Sequence, residues 1–282
     1  MALAGLRDIL QPAHDGGYAV ASFNVIGIEH AEAIVRGAEA EESPVILQLS
    51  QNAVLYHFGR LEPIAAACRE LAAAAAVPVA LHLDHATDTG LCERAVAVGF
   101  GSVMLDAPGA ADEAASAVAD LVAWTEPRGV AVEGALGVVG GKDGQVTSHD
   151  GMTEPGAARD YVAATGVAAL AVAIGTTHGM VERTARLDLD RLAALRAAVP
   201  VPLVLHGSSG VPDDQLLAAS RLGIAKVNLA TQLNAAFTAA LRRELAADPR
   251  VVDPRRYLAP AREAISEAVG AKLRLLNSAG RA

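Results

Sequence analysis

Three apolar runs of this chain each reach a histidine where a buried strand would meet a loop: LHLDH at 81–85, AVAIGTTHG at 171–179 and LVLHG at 203–207. Three imidazoles drawn from three strand ends make a metal site with an open fourth position, the arrangement of a catalytic zinc centre. His85, His178 and His206 are therefore the candidate ligands of one Zn2+ ion. His82 stands at strand alternation with Asp84 and reads as a hydrogen-bonded core histidine. His14, His30, His57 and His149 fall in helices or loops without partners and receive no role.

A second cluster follows the last two runs. Gly207, Ser208, Ser209 and Gly210 form a turn after the seventh, and Asn228, Leu229, Ala230 and Thr231 close the eighth and open a helix. Exposed backbone N–H groups beside a helix N-terminus attract anions, and glycine lets the backbone approach them closely. An ordinary turn with an N-cap has the same composition. Beside a metal site, we read the cluster as a phosphate cradle.

The elements that must hold these residues alternate. Candidate strands run at 19–25, 44–50, 78–84, 102–107, 129–136, 169–175, 202–207 and 226–231. Alanine-rich stretches of helical period lie at 29–42, 60–76, 88–98, 111–127, 155–165, 188–198 and 212–222, then at 232–247 and 260–276. The strands are apolar on both faces, as in a parallel sheet covered by helices. Eight such units predict a (β/α)8 TIM barrel in a single domain over 1–282, with an open doubly wound sheet as the alternative. In a barrel, chemistry sits at the C-terminal strand ends. Asn24, Ser50, Asp84, His85, Asp106, Glu133, His178 and His206 all fall there, whereas the strand starts carry valine, leucine and proline.

Composition limits the function classes. The chain has 282 residues, 52% of them hydrophobic but only 3% aromatic, so alanine, leucine and valine must pack the core. A net charge of −9 with scattered basic residues argues against a nucleic-acid surface. Cys68 and Cys92 lack CxxC spacing and read as reduced core thiols. The longest apolar stretch, 71–83, is interrupted by Pro78 and His82, and Arg7, Asp8 and Gln11 come too early for a signal segment. A soluble, cytoplasmic protein without membrane contact is expected.

LHLDHA at 81–86, VAIGTTHG at 172–179, LHGSSG at 205–210 and KVNLAT at 226–231, in that order, resemble the class II, zinc-dependent ketose-bisphosphate aldolases. FNV at 23–25, MLDA at 104–107, LGVVGGKDG at 136–144 and NSAGR at 277–281 extend the resemblance over nearly the whole chain. Ala230 in NLAT is more like the tagatose-bisphosphate branch. The resemblance implies that zinc on His85, His178 and His206 polarises the carbonyl of dihydroxyacetone phosphate, and that Asp84 handles the hydroxyl proton at the breaking bond. It implies that Gly179, Gly207, Ser208, Ser209, Asn228, Leu229, Ala230 and Thr231 surround the ketone-side phosphate, with a monovalent cation nearby. Asn24 and Ser50 would line the sugar, and Arg281 would reach the distal phosphate. A homo-oligomer, dimer or tetramer, is also implied.

Two positions depart from the family pattern. Where it reads V-E-x-E-L-G, this chain has VEGALG, keeping Glu133 but placing Ala135 at the second carboxylate. The glutamate expected after the next Gly-Gly is replaced in GGKDG, which leaves Asp143 to move the carbon-bound proton. A non-catalytic or altered-reaction phosphosugar-binding protein is therefore the alternative. A Schiff-base aldolase is the other rival, but of the three lysines Lys226 starts a strand, while Lys142 and Lys272 lie in a loop and a helix.

Overall fold

Each apolar run becomes a strand, and each strand pairs in parallel with the next until the eighth returns to the first. The strands are β1 (Val20–Asn24), β2 (Val45–Ser50), β3 (Val79–Ala86), β4 (Ser102–Leu105), β5 (Ala131–Leu136), β6 (Ala169–Val172), β7 (Leu203–Leu205) and β8 (Ile224–Leu229). They close in sequence order into a barrel, sealed by β1 against β8 with Val20 opposite Lys226 and Ser22 opposite Asn228. The (β/α)8 expectation holds and the open sheet is excluded. The computed structural model describes residues 3–137, 151–180 and 182–282.

The helices are α1 (Leu6–Gly16), α2 (Ile28–Ala40), α3 (Gln51–Tyr56), α4 (Glu62–Ala74), α5 (Thr89–Ala97), α6 (Ala111–Thr125), α7 (Pro155–Thr165), α8 (Leu189–Ala198), α9 (Asp213–Leu222), α10 (Thr231–Ala247) and α11 (Pro254–Leu275). Most match the expected spans within a few residues. The exceptions are α11, which begins at Pro254 rather than at 260, and α1 and α3, for which the sequence predicts no helix. The spacing for α1 is nevertheless present: Leu6, Ile9, Leu10 and Ala13 share one face, and all four are buried.

That face seals the N-terminal end of the barrel. Leu6, Ile9 and Leu10 pack with Val20, Ile46, Ala80, Ala131, Ala169 and Val204, the inward residues of the lower strands. A separate outer core joins the outward strand residues, such as Phe23, Leu47, Leu81 and Leu229, to the helices. Period-two alternation creates this division, since successive side chains of a strand point to opposite faces. Cys68 and Cys92 are free and buried, and burial pushes both thiols up to about 12, which leaves them protonated and inert at neutral pH. Among the described residues, no helix is long and apolar enough to cross a membrane.

Candidate metal and phosphate site

The three histidines converge above the C-terminal strand ends. His85 comes from β3, His178 from the loop after β6 and His206 from the residue after β7, and their ligand atoms all lie within 4.8 Å of one another. The ring centroids are 4.9–5.9 Å apart, and each pair of rings is nearly perpendicular. His85 Nε2 faces His206 Nδ1 at 3.2 Å. Two nitrogens on one tetrahedral zinc at ordinary bond lengths would be about 3.3 Å apart.

Two carboxylates determine which nitrogens face inward. Asp106, just beyond β4, accepts from His85 Nδ1 at 2.7 Å, and Glu133 of β5 accepts from His206 Nε2 at 2.9 Å. With those protons committed, the facing nitrogens both present lone pairs. Two lone pairs at 3.2 Å repel one another, and a cation between them converts that repulsion into coordination. Burial pushes the His206 imidazole below its ordinary range, partly opposed by its bond to Glu133, which keeps it neutral as a ligand must be. The donor set thus fits a zinc ion. In the sequence Asp106 and Glu133 stand out as polar strand ends and as members of the MLDA and VEGALG motifs; their contacts with the histidines depend on barrel closure.

Asp84 and His85 both face this site although they are consecutive. Strict alternation would send them to opposite faces of the strand. The pairing of β3 with β4 slips between Leu83 and Ala86, and His85 takes a left-handed φ of 55°. A β-branched-free residue in that conformation still carries a steric cost, and such strain clusters at functional sites. Asp84 is 3% exposed, and its Oδ1 has no hydrogen-bond partner among the described residues. It is thus a buried acceptor with capacity to spare.

A cavity of about 240 Å³ adjoins the histidines and brings together Asn24, Ser50, Asp84, Gly179, Gly207, Ser208, Ser209, Asn228, Ala230 and Thr231. Gly207 has a φ of 64°, and a Cβ there would come within 2.9 Å of the Thr177 backbone, so the turn requires glycine. Thr231 is the first residue of α10, whose cap residue Ala230 supplies no side-chain acceptor. Ala230 and Thr231 both line the cavity, and a helix N-terminus without a side-chain cap favours an anion. A larger cavity of about 940 Å³ opens on the other side of the same histidines, with Asp106, Ala135, Leu136 and Tyr161 among its walls.

Several expected contributors are differently employed. The Ser208 hydroxyl donates to the Asn228 carbonyl, and Ser50 Oγ caps α3 by accepting from the Ala53 N–H at 3.2 Å. Leu229 is packed in the outer core, so only its backbone can serve the cradle. Asn24 Oδ1 accepts from Gln48 Nε2 at 3.0 Å. Arg281 is not brought to the site. Its guanidinium lies 5.0 Å from the ring of Tyr18, before β1, and the flanking Gly280 and Ala282 bond to Glu41 and Glu42, before β2. The C-terminal segment therefore pairs along the N-terminal rim, at the opposite end of the barrel. Asp143 lies outside the described residues.

The chain is similar to known proteins along its whole length. Residues 4–281 match the family model described as class-II fructose-bisphosphate aldolase. The fructose-bisphosphate aldolase of Geobacillus stearothermophilus is 37% identical over 286 residues, covering 100% of this chain and 99% of that enzyme. The one from Staphylococcus epidermidis is 35% identical over 288 residues, with full coverage of both chains. Among solved structures, the YdjI aldolase from Escherichia coli K12 superposes with a TM-score of 0.88 at 31% identity, over 99% of each chain.

Proposed function

The chain belongs to the class-II fructose-bisphosphate aldolase family, and from that membership we propose a zinc-dependent aldolase that reversibly splits a phosphorylated ketose, fructose- or tagatose-bisphosphate-like, into dihydroxyacetone phosphate and an aldehyde. The observation that carries this reading is the pair of facing imidazole nitrogens, 3.2 Å apart and each backed by a carboxylate. His85, His178 and His206 would hold the ion. Bound there, zinc supplies Lewis acidity, which polarises the ketose carbonyl and stabilises charge developing on its oxygen.

The remaining work falls to the chain. Backbone N–H groups around Gly179, Gly207 and Ser209, with Asn228 and Thr231, would bind the ketone-side phosphate, and a monovalent cation beside it belongs to the same reading. Asn24 and Ser50 would line the sugar. Asp84 would take the proton from the hydroxyl on the carbon beyond the breaking bond. That carbon becomes the aldehyde carbonyl, and the pair from the broken C–C bond goes to the ketone half, where a proton must then be delivered to carbon. Ala135 has no ionisable group, so Asp143 of the GGKDG segment is the carboxylate assigned to that delivery. With Arg281 at the far rim, this chain's own Arg281 offers nothing to a distal phosphate. The same reading makes the protein a cytoplasmic homo-oligomer.

A retro-aldol assay over a panel of ketose phosphates, with metal content measured on the same sample, tests the proposal. Cleavage should disappear with chelator and return with zinc. A fully zinc-loaded protein that cleaves nothing in the panel favours the second reading, a non-catalytic phosphosugar-binding protein, for which Ala135 is the supporting observation. The Schiff-base rival is weakened by Lys226, which is fully buried against Glu133 at 2.7 Å.

A further inference from the structure

Beneath the histidines the barrel interior is polar, and one cation sits at its centre. Lys226 is third in β8 rather than first, fully buried, and its Nζ donates to Glu133 Oε2 at 2.7 Å and to Gln48 Oε1 at 3.3 Å. Glu133 turns its other oxygen, Oε1, to His206 Nε2. Gln48 is fixed in turn, accepting from Ser22 Oγ at 2.6 Å and donating to Asn24. A buried ammonium and carboxylate at best offset their own desolvation, so this pair is a poor device for stability alone. Its geometry indicates a different use.

We propose that Lys226 is a positioning residue for the metal centre, holding the Glu133 carboxylate so that it fixes His206 with Nδ1 turned to the ion. The carboxylate has two rotatable bonds above its Cβ and would be free to swing without an anchor on Oε2. The other neighbour within reach, His82 Nε2 at 3.7 Å, is too distant for a hydrogen bond and is occupied at Nδ1 by Ser102. Lys226 is thus the donor that locks Oε2, which leaves Oε1 as the fixed acceptor for the ligand. Groups that orient a metal-bound histidine in this way set metal affinity as well as geometry.

This inference rests on the three histidines binding a metal, and cobalt(II) serves as the probe in the full-length protein. In Lys226→Met, cobalt should bind about 10- to 100-fold more weakly, with a changed visible absorption at saturating metal. The neutral double variant Glu133→Gln/Lys226→Met leaves no uncompensated buried charge. It should recover thermal stability lost by the single variant yet still bind cobalt at least about tenfold more weakly. If the single variant does not fold, Lys226→Arg, which keeps a buried cation but displaces the donor from Glu133 Oε2, carries the test by its cobalt affinity and spectrum. A folded variant with wild-type cobalt affinity and spectrum overturns the proposal and leaves Lys226 structural. Failure of the wild-type protein to bind cobalt would instead overturn the metal reading itself.

Discussion

Asp84 and His85 are neighbours in the chain and again across the site, with Asp84 Oδ1 3.7 Å from His85 Nε2. The slipped register of β3 thus puts a buried carboxylate beside a candidate metal ligand. Asp84→Asn should therefore keep its zinc and its substrate affinity while kcat falls by about 10² to 10⁴, the usual contribution of a positioned acid or base. Steady-state kinetics with metal analysis on one preparation checks this. A variant whose principal defect is missing zinc would make Asp84 a support for His85.

Removing a ligand should act in the opposite order. His85→Ala, His178→Ala or His206→Ala leaves an incomplete donor set, so bound zinc and turnover should be lost together. Elemental analysis of the purified variants measures the first. Full zinc occupancy in His206→Ala would contradict the assignment.

Gly207→Ala tests the phosphate cradle. A left-handed residue with a Cβ costs about 1–2 kcal/mol, and here the added carbon also meets the Thr177 backbone at 2.9 Å. KM for a ketose phosphate should rise about tenfold or more, with zinc retained. An unchanged KM would remove this turn from phosphate binding.

The role of Asp143 can be isolated with dihydroxyacetone phosphate alone in deuterated water. Wild-type protein should exchange the carbon-bound proton, followed by NMR, and Asp143→Ala should exchange it far more slowly while holding zinc. Aspartate is one methylene shorter than glutamate, so the segment bearing it must approach further. Equal rates would exclude Asp143 from the proton transfer.

Stability should decline on the acid side of neutrality before ordinary carboxylates titrate. Burial, then the Lys226 charge, pushes His82 down to about 3. The unfolded chain takes up this proton near pH 6.5 and the folded one does not, so stability is full above 6.5 and drains away as pH falls toward 3. One such proton is worth about 1.4 kcal/mol per pH unit. With chelator present throughout, His82→Gln should lose about 2 kcal/mol less than wild type between pH 6.5 and 5 in urea unfolding. Parallel losses in both proteins would show that His82 titrates normally.

The sequence made the barrel and its histidines legible for one physical reason: strands buried on both faces leave polar residues little room except at their ends. His85, His178 and His206 stood out because three imidazoles at such ends are unusual. The interior layer was hidden by the same logic. Ser22, Gln48, His82, Ser102, Glu133 and Lys226 lie on separate strands, and single polar residues within apolar runs show no pattern until the sheet closes on itself. The placement of Arg281 at the lower rim was not legible, because a C-terminal motif gives no indication of which end of the barrel it will reach. α1 went unassigned because Gln11, Pro12 and Asp15 interrupt a short amphipathic stretch, although its four apolar positions were correctly spaced.

The helix α1 gives the barrel a floor. Leu6, Ile9 and Leu10 stopper the lower mouth, so the buried polar layer above them is bounded by apolar packing below and by the histidines above. An ion held by the three histidines would tie β3 to the segments after β6 and β7 at the upper end. Hydrogen exchange deep in the strands would then act as a gauge of occupancy, slow while the ion is in place and quickening once it leaves, even though no backbone atom of those strands touches it.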